Sequence, residues 1–416
     1  MKYALIIPDG AADTPIPDLD HKTPLQVAHK PNIDWISHNG KLGTVRTTPP
    51  NFSAGSDVCT LCLLGYDPAQ YHPGRAPLEA AAQGLQLDPD RDWVFRCNLV
   101  TIIDGDRGGV MMDHSAGHIP DKEARILLDE VRKHLAPDPG TTPLTFFPGV
   151  SYRHLMTYRT SAADSIDFTG LKTTPPHDIP EQPIKNYLPK GGRGGAGDLL
   201  TSLITQSHEV LKNHEINLTR RDLGENEATH IWLWGQGRAA NVPSFESRFK
   251  KKGAMITAVD LLRGIANLLG WKNLDSPGIT SYHDTDYAAQ GQTTIDALDH
   301  FDLVCCHVEA PDEASHAANF HEKIQSIEAI DQHIVGPVLE KLKTFPEWRI
   351  LIMPDHATQC ATRKHHDEPV PFTIAGSNIP ARQHIQLPYT EAAAKQSDLH
   401  IQQGYDLMEY FLYGNK

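Results

Sequence analysis

The sequence predicts an α/β protein: a doubly wound sheet whose chain is interrupted by an inserted domain. Two observations carry this. First, three short and almost wholly apolar runs, Tyr3–Ile7, Leu303–Val308 and Arg349–Met353, each lead into a turn that carries an acidic residue. Runs of that length and composition fit strands buried on both faces of a parallel sheet. Second, the turn segments fall into an N-terminal piece ending near His72 and a C-terminal piece starting near Ala254, and the 416 residues exceed what one ordinary core accommodates. The expected organisation is one discontinuous domain, 1–72 with 254–416, carrying the acidic turns, and an insert, 73–253, of mixed strands and helices.

Composition narrows the function. Hydrophobic residues at 39% and charged residues at 22% describe a folded soluble protein. A net charge of -14 argues against a nucleic-acid partner, which needs a basic face. An acidic chain that handles an anionic substrate must concentrate positive charge locally, through metal ions or a few arginines. No stretch approaches the roughly 18 apolar residues of a membrane span, and MKYALIIPDG meets Pro8 and Asp9 too soon for a signal peptide. Six cysteines without secretory features fit a reduced cytoplasm, with Cys59 and Cys62 read as small buried helix residues.

Taken along the chain, Tyr3–Ile7 delivers Asp9. Asn51–Asp57 opens a helix over Val58–Leu64, with Gly55 permitting a tight turn and Ser56 near the helix N-terminus, where unpaired amides favour a phosphate or oxyanion. Either Ser53 or Ser56 is a natural cap for that helix. Pro120–Leu135 has helical spacing at Ile126, Leu127, Val131 and Leu135, and His321–Leu342 at Ile324, Ile327, Ile330 and Ile334. Pro- and Gly-rich punctuation at 136–140, 173–183 and 191–197 breaks up the insert. Gly192–Gly197 formally matches a dinucleotide fingerprint, but Ile184–Lys190 is a poor strand, and a flexible loop is the better reading. Trp232 and Trp234 alternate as packing residues of a strand.

The chemistry lies in the turns. Sites in open α/β sheets form beyond the carboxyl ends of strands, so Asp9, Asp312, Asp355 and His356 can converge. Asp312 and His316 stand at i and i+4, one helix face, and can share an ion. Lys364–Asp367 brings His365 and His366 just before Pro369-Val370-Pro371, a segment that must be extended. A single aspartate after a strand is an ordinary turn residue; the set of four clusters is what points to two metal ions, which need about six or seven mixed carboxylate and imidazole ligands. Beside such a cluster Ser56 becomes a candidate nucleophile.

The chain resembles the archaeal-type cofactor-independent phosphoglycerate mutases of the alkaline phosphatase superfamily. The resemblance is carried along nearly the whole chain by Ile7–Gly10, Gly55–Asp57 with Leu64–Pro68, Gly74–Ala80, Gly149–Arg153, Pro175–Asp178, Leu233–Gly237, Glu309–Glu313, Pro354–His356 and His365 with Pro369–Pro371. It implies an alkaline-phosphatase-like sheet domain, an insert that holds substrate, and interconversion of 3- and 2-phosphoglycerate without 2,3-bisphosphoglycerate. By resemblance Asp312, His316 and His365 hold one divalent ion, and Asp9, Asp355, His356 and the Ser56 hydroxyl hold the other; His366 is a bystander. Ser56 becomes a phosphoserine, while Arg153, His177 and Asp178 hold and reprotonate the glycerate, with Asp178 as general base and His118, Arg263 and Asp57 as further substrate positions. Gly235–Arg238 belongs to the substrate wall. Mixed ligands suit Mn, Zn, Co or Mg, with no organic cofactor. The expected partner is a small phosphorylated carboxylate, with no membrane or nucleic acid, and the expected assembly is a monomer or small homo-oligomer. His118 stands where the family usually has arginine, and Arg263 and Gln290 fall where it often has lysine. These departures keep open a phosphohydrolase, or a phosphomutase acting on another ester.

Overall fold

The computed structural model describes residues 1–105, 108–137, 140, 142–161, 165–238, 241–381 and 387–414. Asp138 and Pro139 of the expected break at 136–140 lie outside them. The chain divides into two compact units, Met1–His72 with Val242–Lys416, and Pro73–Asn241.

The first unit is built on an eight-stranded sheet and also contains a two-stranded antiparallel ribbon, β12 (Ala357–Gln359) with β13 (Lys364–His366). The sheet's strands are β1 (Lys2–Pro8), β2 (Lys41–Val45), β8 (Gly253–Ile256), β9 (Lys272–Asn273), β10 (Leu303–Val308), β11 (Trp348–Ile352), β14 (Val370–Gly376) and β15 (His400–Ile401), in the order β15-β2-β14-β11-β1-β10-β8-β9. The central strands β11, β1, β10 and β8 are parallel neighbours, and β14 runs antiparallel between β11 and β2. β1 and β10 are buried nearly end to end, the consequence of helices on both faces. On one face Ala4, Ile6, Val304, Cys306, Ile350 and Ile352 pack with Ile33, Leu298, Ile327 and Ile334 from helices. On the other, Tyr3 meets Phe411 edge-on, and its hydroxyl donates to Leu412 O at 2.8 Å. Each expected strand is present, and the architecture is doubly wound.

The second unit is an antiparallel sheet around the long β3 (Asp92–Gly105), which pairs with β4 (Gly108–Asp113), β6 (Arg153–Arg159) and β7 (His230–Arg238), with β5 (Leu144–Phe147) beyond β6. Helices Asp121–Leu135 and Ala196–Leu211 cover one face through Leu127, Leu128, Val131, Leu200 and Ile204. Helix Arg75–Ala82 packs Ala76 and Ala80 on Val94 and Leu155.

Several expectations need correction. The second boundary falls at Val242 rather than near Ala254, because aromatic packing ties 242–253 to the first unit: Tyr66 Oη donates to Pro243 O at 2.9 Å and Tyr66 meets Phe249 edge-on. Gly65, at φ +93°, allows this, since a Cβ there would lie 2.7 Å from the Phe249 ring. Ile126 is exposed, and Ala124 with Leu128 completes the buried stripe of its helix. The helix expected over His321–Leu342 is continuous but passes through a π turn at Asp331–Val335, just ahead of Pro337, whose missing N–H disrupts regular pairing. The glycine-rich stretch has no strand before it, as expected, and Gly191, Gly192, Gly194 and Gly195 hold left-handed backbone leading into the helix Ala196–Leu211.

His154 on β6 is buried in the second unit, where its Nδ1 accepts from Gly149 N–H at 3.0 Å. Burial, assisted by Arg125, lowers its pKa from 6.5 to about 4. The unfolded ring takes a proton near 6.5 and the folded ring resists one until about 4. This contribution to stability is therefore complete above about pH 6.5 and is lost as pH falls toward 4. His154→Gln, which keeps an acceptor without a titration, is expected to flatten the pH dependence of the urea midpoint across that window.

Candidate active site

Parallel register places the carboxyl ends of β11, β1 and β10 side by side, so Asp355 with His356, Asp9, and the Glu309–Asp312 turn emerge as neighbours. Two groups of candidate ligands result: Asp9, Asp355 and His356, and Asp312, His316 and His365, the ligand atoms of each group lying within 4.8 Å of one another. Gly10 permits the approach. It has φ +61°, and a Cβ there would lie 2.5 Å from Asp312 Oδ1 and 2.6 Å from Thr358 Oγ1.

In the first group all three residues are buried. Asp355 Oδ1 accepts the amides of His356 at 3.0 Å and Gly10 at 3.4 Å, which turns Oδ2 inward. Asp9 Oδ1 and Asp355 Oδ2 are buried and have no hydrogen-bond partner among the described residues. Two such carboxylate oxygens beside an imidazole suit a divalent cation, because buried anionic oxygens are costly unless compensated. Without one, burial and the neighbouring Asp355 and Asp312 push the Asp9 carboxyl well above its ordinary range. Burial also opposes ionisation of Asp355, but His356 holds it below its ordinary value.

In the second group, His316 Nε2 lies 3.1 Å from Asp312 Oδ2, His365 Nε2 lies 3.5 Å from Asp312 Oδ1, and the two imidazole nitrogens are 2.9 Å apart. The Asp312 hydrogen bond raises His316 to about 9, and despite burial His365 is raised by the same carboxylate. Each outer nitrogen is held by a carbonyl: His316 Nδ1 by Arg363 O at 3.0 Å and His365 Nδ1 by Ala54 O at 3.3 Å. That arrangement leaves both Nε2 atoms aimed at Asp312, a donor set fit for a second cation. His366 turns away, 2.9 Å from Thr362 Oγ1.

Ser56 completes the first group. Its Oγ donates to Asp9 Oδ2 at 3.2 Å and lies 3.3 Å from His356 Nε2. The helix begins at Ser56 itself and runs to Leu63; the cap is Gly55, extended at φ -178°, with no side-chain capping bond. The Ser56 hydroxyl is therefore not spent on capping, and Gly55 is not in the left-handed region. Asp57 points to His72, with Oδ2 3.2 Å from Nε2.

Within the second unit the remaining candidates share a neighbourhood. His177 lies 5.3 Å from the Trp234 ring and 6.1 Å from His114, His118 lies 6.0 Å from Tyr152, and the Arg153 guanidinium lies 5.6 Å from Tyr152. Asp178 follows His177 on the turn Pro176–Asp178, 3.8 Å from its Nε2. Arg96 stacks on Trp234 at 4.2 Å and pairs with Glu79 at 3.0 Å, and Arg75 and Arg153 also act on Glu79. Burial lowers the His177 pKa, with Arg96, His114 and Arg75 adding to it against Asp178. The loop leading to His118 is pinned by Asp113, which accepts the amides of Ser115 and Gly117, and Ala116, Gly117 and His118 all have left-handed backbone, strain of the kind that collects at functional sites.

The two positions where the family often has lysine both lie in the first unit. Arg263 is engaged by Asp275 at 2.8 Å on the helix Asp260–Leu268. Gln290 is 1% exposed and donates to Thr285 Oγ1 at 2.6 Å, a core position rather than a substrate-facing one. Conversely, the sequence reading passed over His307, Thr358 and Lys323. His307 Nε2 is 2.9 Å from Asp9 Oδ2, and burial brings its pKa down to about 4. Thr358 Oγ1 donates to Asp312 Oδ1 and lies 3.1 Å from His356 Nδ1, so it touches both groups. Lys323 is wholly buried, 2.9 Å from Asp13 and donating to Thr358 O at 2.7 Å. The available signal was a polar residue inside an apolar pattern, His307 in LVCCHV and Lys323 in a core-facing helix.

Fold and site together define an α/β enzyme that gathers carboxylates, imidazoles and one serine hydroxyl at the carboxyl ends of parallel strands. A sequence model of the 2,3-bisphosphoglycerate-independent phosphoglycerate mutases matches residues 37–217, and the chain is 42% identical over 380 residues to the enzyme so named from Methanothrix thermoacetophila, covering 91% of this chain and 92% of that one. The chain belongs to the 2,3-bisphosphoglycerate-independent phosphoglycerate mutase family, enzymes of the isomerase class. It is also 43% identical over 411 residues to the Methanosarcina barkeri enzyme of that name, covering 98% of each. Among solved structures, a protein from Pyrococcus horikoshii matches with a TM-score of 0.79 at 27% identity, over 100% of this chain and 98% of that one. A cofactor-independent phosphoglycerate mutase from Thermoplasma acidophilum shares the fold, with a TM-score of 0.69 at 24% identity over 99% of each chain.

Proposed function

We propose that the chain interconverts 3-phosphoglycerate and 2-phosphoglycerate through a phosphoserine at Ser56, supported by two divalent cations. The observation that carries this reading is the Ser56 hydroxyl, free of capping duty and 3.2 Å and 3.3 Å from two candidate ligands. Asp9, Asp355, His356 and Ser56 would hold one cation, and Asp312, His316 and His365 the other, with Mn, Zn, Co and Mg all compatible with mixed oxygen and nitrogen donors. When bound, the cations supply Lewis-acid stabilisation and a lowered hydroxyl pKa.

The chain's own groups account for the rest. Asp9 Oδ2 takes the Ser56 hydrogen bond and orients the oxygen that attacks phosphorus in line. As the Ser56 oxygen bonds to phosphorus its hydroxyl proton is released, the bond from phosphorus to the glycerate oxygen breaks, and that oxygen keeps the electron pair and takes a proton by way of His177 and Asp178. Arg153 suits a two-point grip on the glycerate carboxylate. His177, whose pKa is lowered by burial and nearby guanidinium groups, and Asp178 hold and move the proton on the glycerate hydroxyl as the phosphoryl group returns to the other oxygen. On this reading 1–72 with the C-terminal piece is the cation-binding, phosphatase-like domain, and the insert holds substrate, with His118 as a further contact. The substrate is a small phosphorylated carboxylate met in the cytoplasm. No helix among the described residues is long and apolar enough to cross a membrane.

Chelator-treated protein should be inactive on 3-phosphoglycerate in an enolase-coupled assay without 2,3-bisphosphoglycerate, and should regain turnover when a divalent ion is restored. Silence with every ion would refute the substrate assignment. Release of free phosphate instead of 2-phosphoglycerate would favour the hydrolase reading, which His118 in place of the usual arginine keeps in play.

A further inference from the structure

We propose that His307 is a positioning residue for Asp9. Its Nε2–H holds Asp9 Oδ2, the oxygen that also accepts from Ser56, and so leaves Oδ1 to the cation. The inference rests on the reading that Asp9 helps hold a cation.

The sheet itself builds the arrangement. β8, β10 and β1 are consecutive parallel strands, with Cys306 opposite Ile256 and Ile7 opposite His307. Thr257 and His307 each follow the Cys306–Ile256 pair by one residue, and Asp9 lies two residues beyond Ile7, the partner of His307. The contacts run across these strand ends. Val259 N–H donates to Thr257 Oγ1 at 3.1 Å, Thr257 Oγ1 is 3.2 Å from His307 Nδ1, and His307 Nε2 is 2.9 Å from Asp9 Oδ2.

Hydrogen-bond polarity along these contacts is set at the Asp9 end. An amide only donates, so Thr257 Oγ1 accepts from Val259 and has its own hydrogen to give. An ionised carboxylate only accepts, so with Asp9 ionised the hydrogen at the other end sits on His307 Nε2. In the neutral ring Nδ1 is then the acceptor and the Thr257 hydroxyl the donor, and every group is satisfied. The His307 side chain is 0% exposed, so no water replaces either partner. The donor at Oδ2 leaves Asp9 Oδ1, the oxygen without a partner among the described residues, as the one turned to the first ligand group. Outer contacts of this kind set ligand orientation, and their loss commonly lowers metal affinity by about 10- to 100-fold.

The test uses two variants of similar polarity. Glutamine places its amide where Nε2 stands and reaches Asp9; asparagine places its amide where Nδ1 stands and reaches only Thr257. Chelator-treated His307→Gln, His307→Asn and unaltered protein are titrated with Mn²⁺ by calorimetry, after matched circular dichroism and unfolding midpoints are established. The expected result is near-unaltered binding for His307→Gln, and for His307→Asn a roughly 10-fold or greater weakening confined to one of two sites, with kcat reduced and KM unchanged. The tautomer is read independently from the ¹⁵N shifts of His307 in the Mg²⁺-loaded protein, which should show a protonated Nε2 and a bare Nδ1. Equal binding by both variants, equal weakening of both sites, or a protonated Nδ1 would overturn the proposal. If the unaltered protein bound no Mn²⁺, the cation reading of the site itself would fall instead.

Discussion

Ser56→Ala is expected to lower kcat by about 10⁴-fold or more, the scale seen when a covalent nucleophile is removed. The hydroxyl is the atom that would carry the phosphoryl group, and its oxygen lies 3.2 Å from Asp9 and 3.3 Å from His356. The same substitution should barely disturb folding. Gly55 rather than Ser56 is the cap residue, and the Ser56 side chain makes no capping bond, so the loss is expected to stay near 1 kcal/mol or less. A variant that is folded, loaded with cation and without turnover is the expected outcome of activity, metal analysis and thermal unfolding measured together. Full turnover from Ser56→Ala would remove the phosphoserine from the mechanism.

Asp312→Asn is expected to lower turnover by about 10³-fold and to reduce bound divalent cation from two per chain to one. The scale is that of losing a preorganised electrostatic contribution of about 4 kcal/mol. Asparagine preserves shape and an acceptor for Thr358 Oγ1, but removes the charge at the centre of its group, where His316 and His365 both approach within 3.5 Å. Asp9, Asp355 and His356 are left intact, so one cation should remain. Elemental analysis after gel filtration reads the stoichiometry directly. Retention of two cations would separate Asp312 from the second site.

Much of this site is readable in one sequence because strand ends are readable. An apolar run followed by an acid places Asp9, Asp312 and Asp355 at the same edge of a parallel sheet, and the i, i+4 spacing adds His316. What escapes is whatever depends on the order of strands. Nothing near LVCCHV reveals that His307 faces Asp9, almost 300 residues away, because that pairing exists only once β10 lies beside β1. Thr358 and Lys323 are hidden for the same reason. Gln290 shows the converse: a polar residue at a position of interest proves to be held inside the core by Thr285. The boundary near Val242 was missed because Phe249 and Pro243 meet Tyr66, a partner far away in sequence. In the insert, Arg153, His177 and Asp178 stood out as sequence motifs, but Arg75, Arg96 and His114 emerge only when β3, β6 and β7 bring the charges around Glu79 and Trp234.

The measurement closest to the central claim is rapid quenching of the cation-loaded protein during turnover of 3-phosphoglycerate, followed by peptide mass analysis. The account predicts one added phosphoryl group on the peptide containing Ser56, appearing as fast as turnover and absent from Ser56→Ala. Product formation with no phosphorylated peptide at any time, under conditions that preserve a phosphoserine standard, would contradict it.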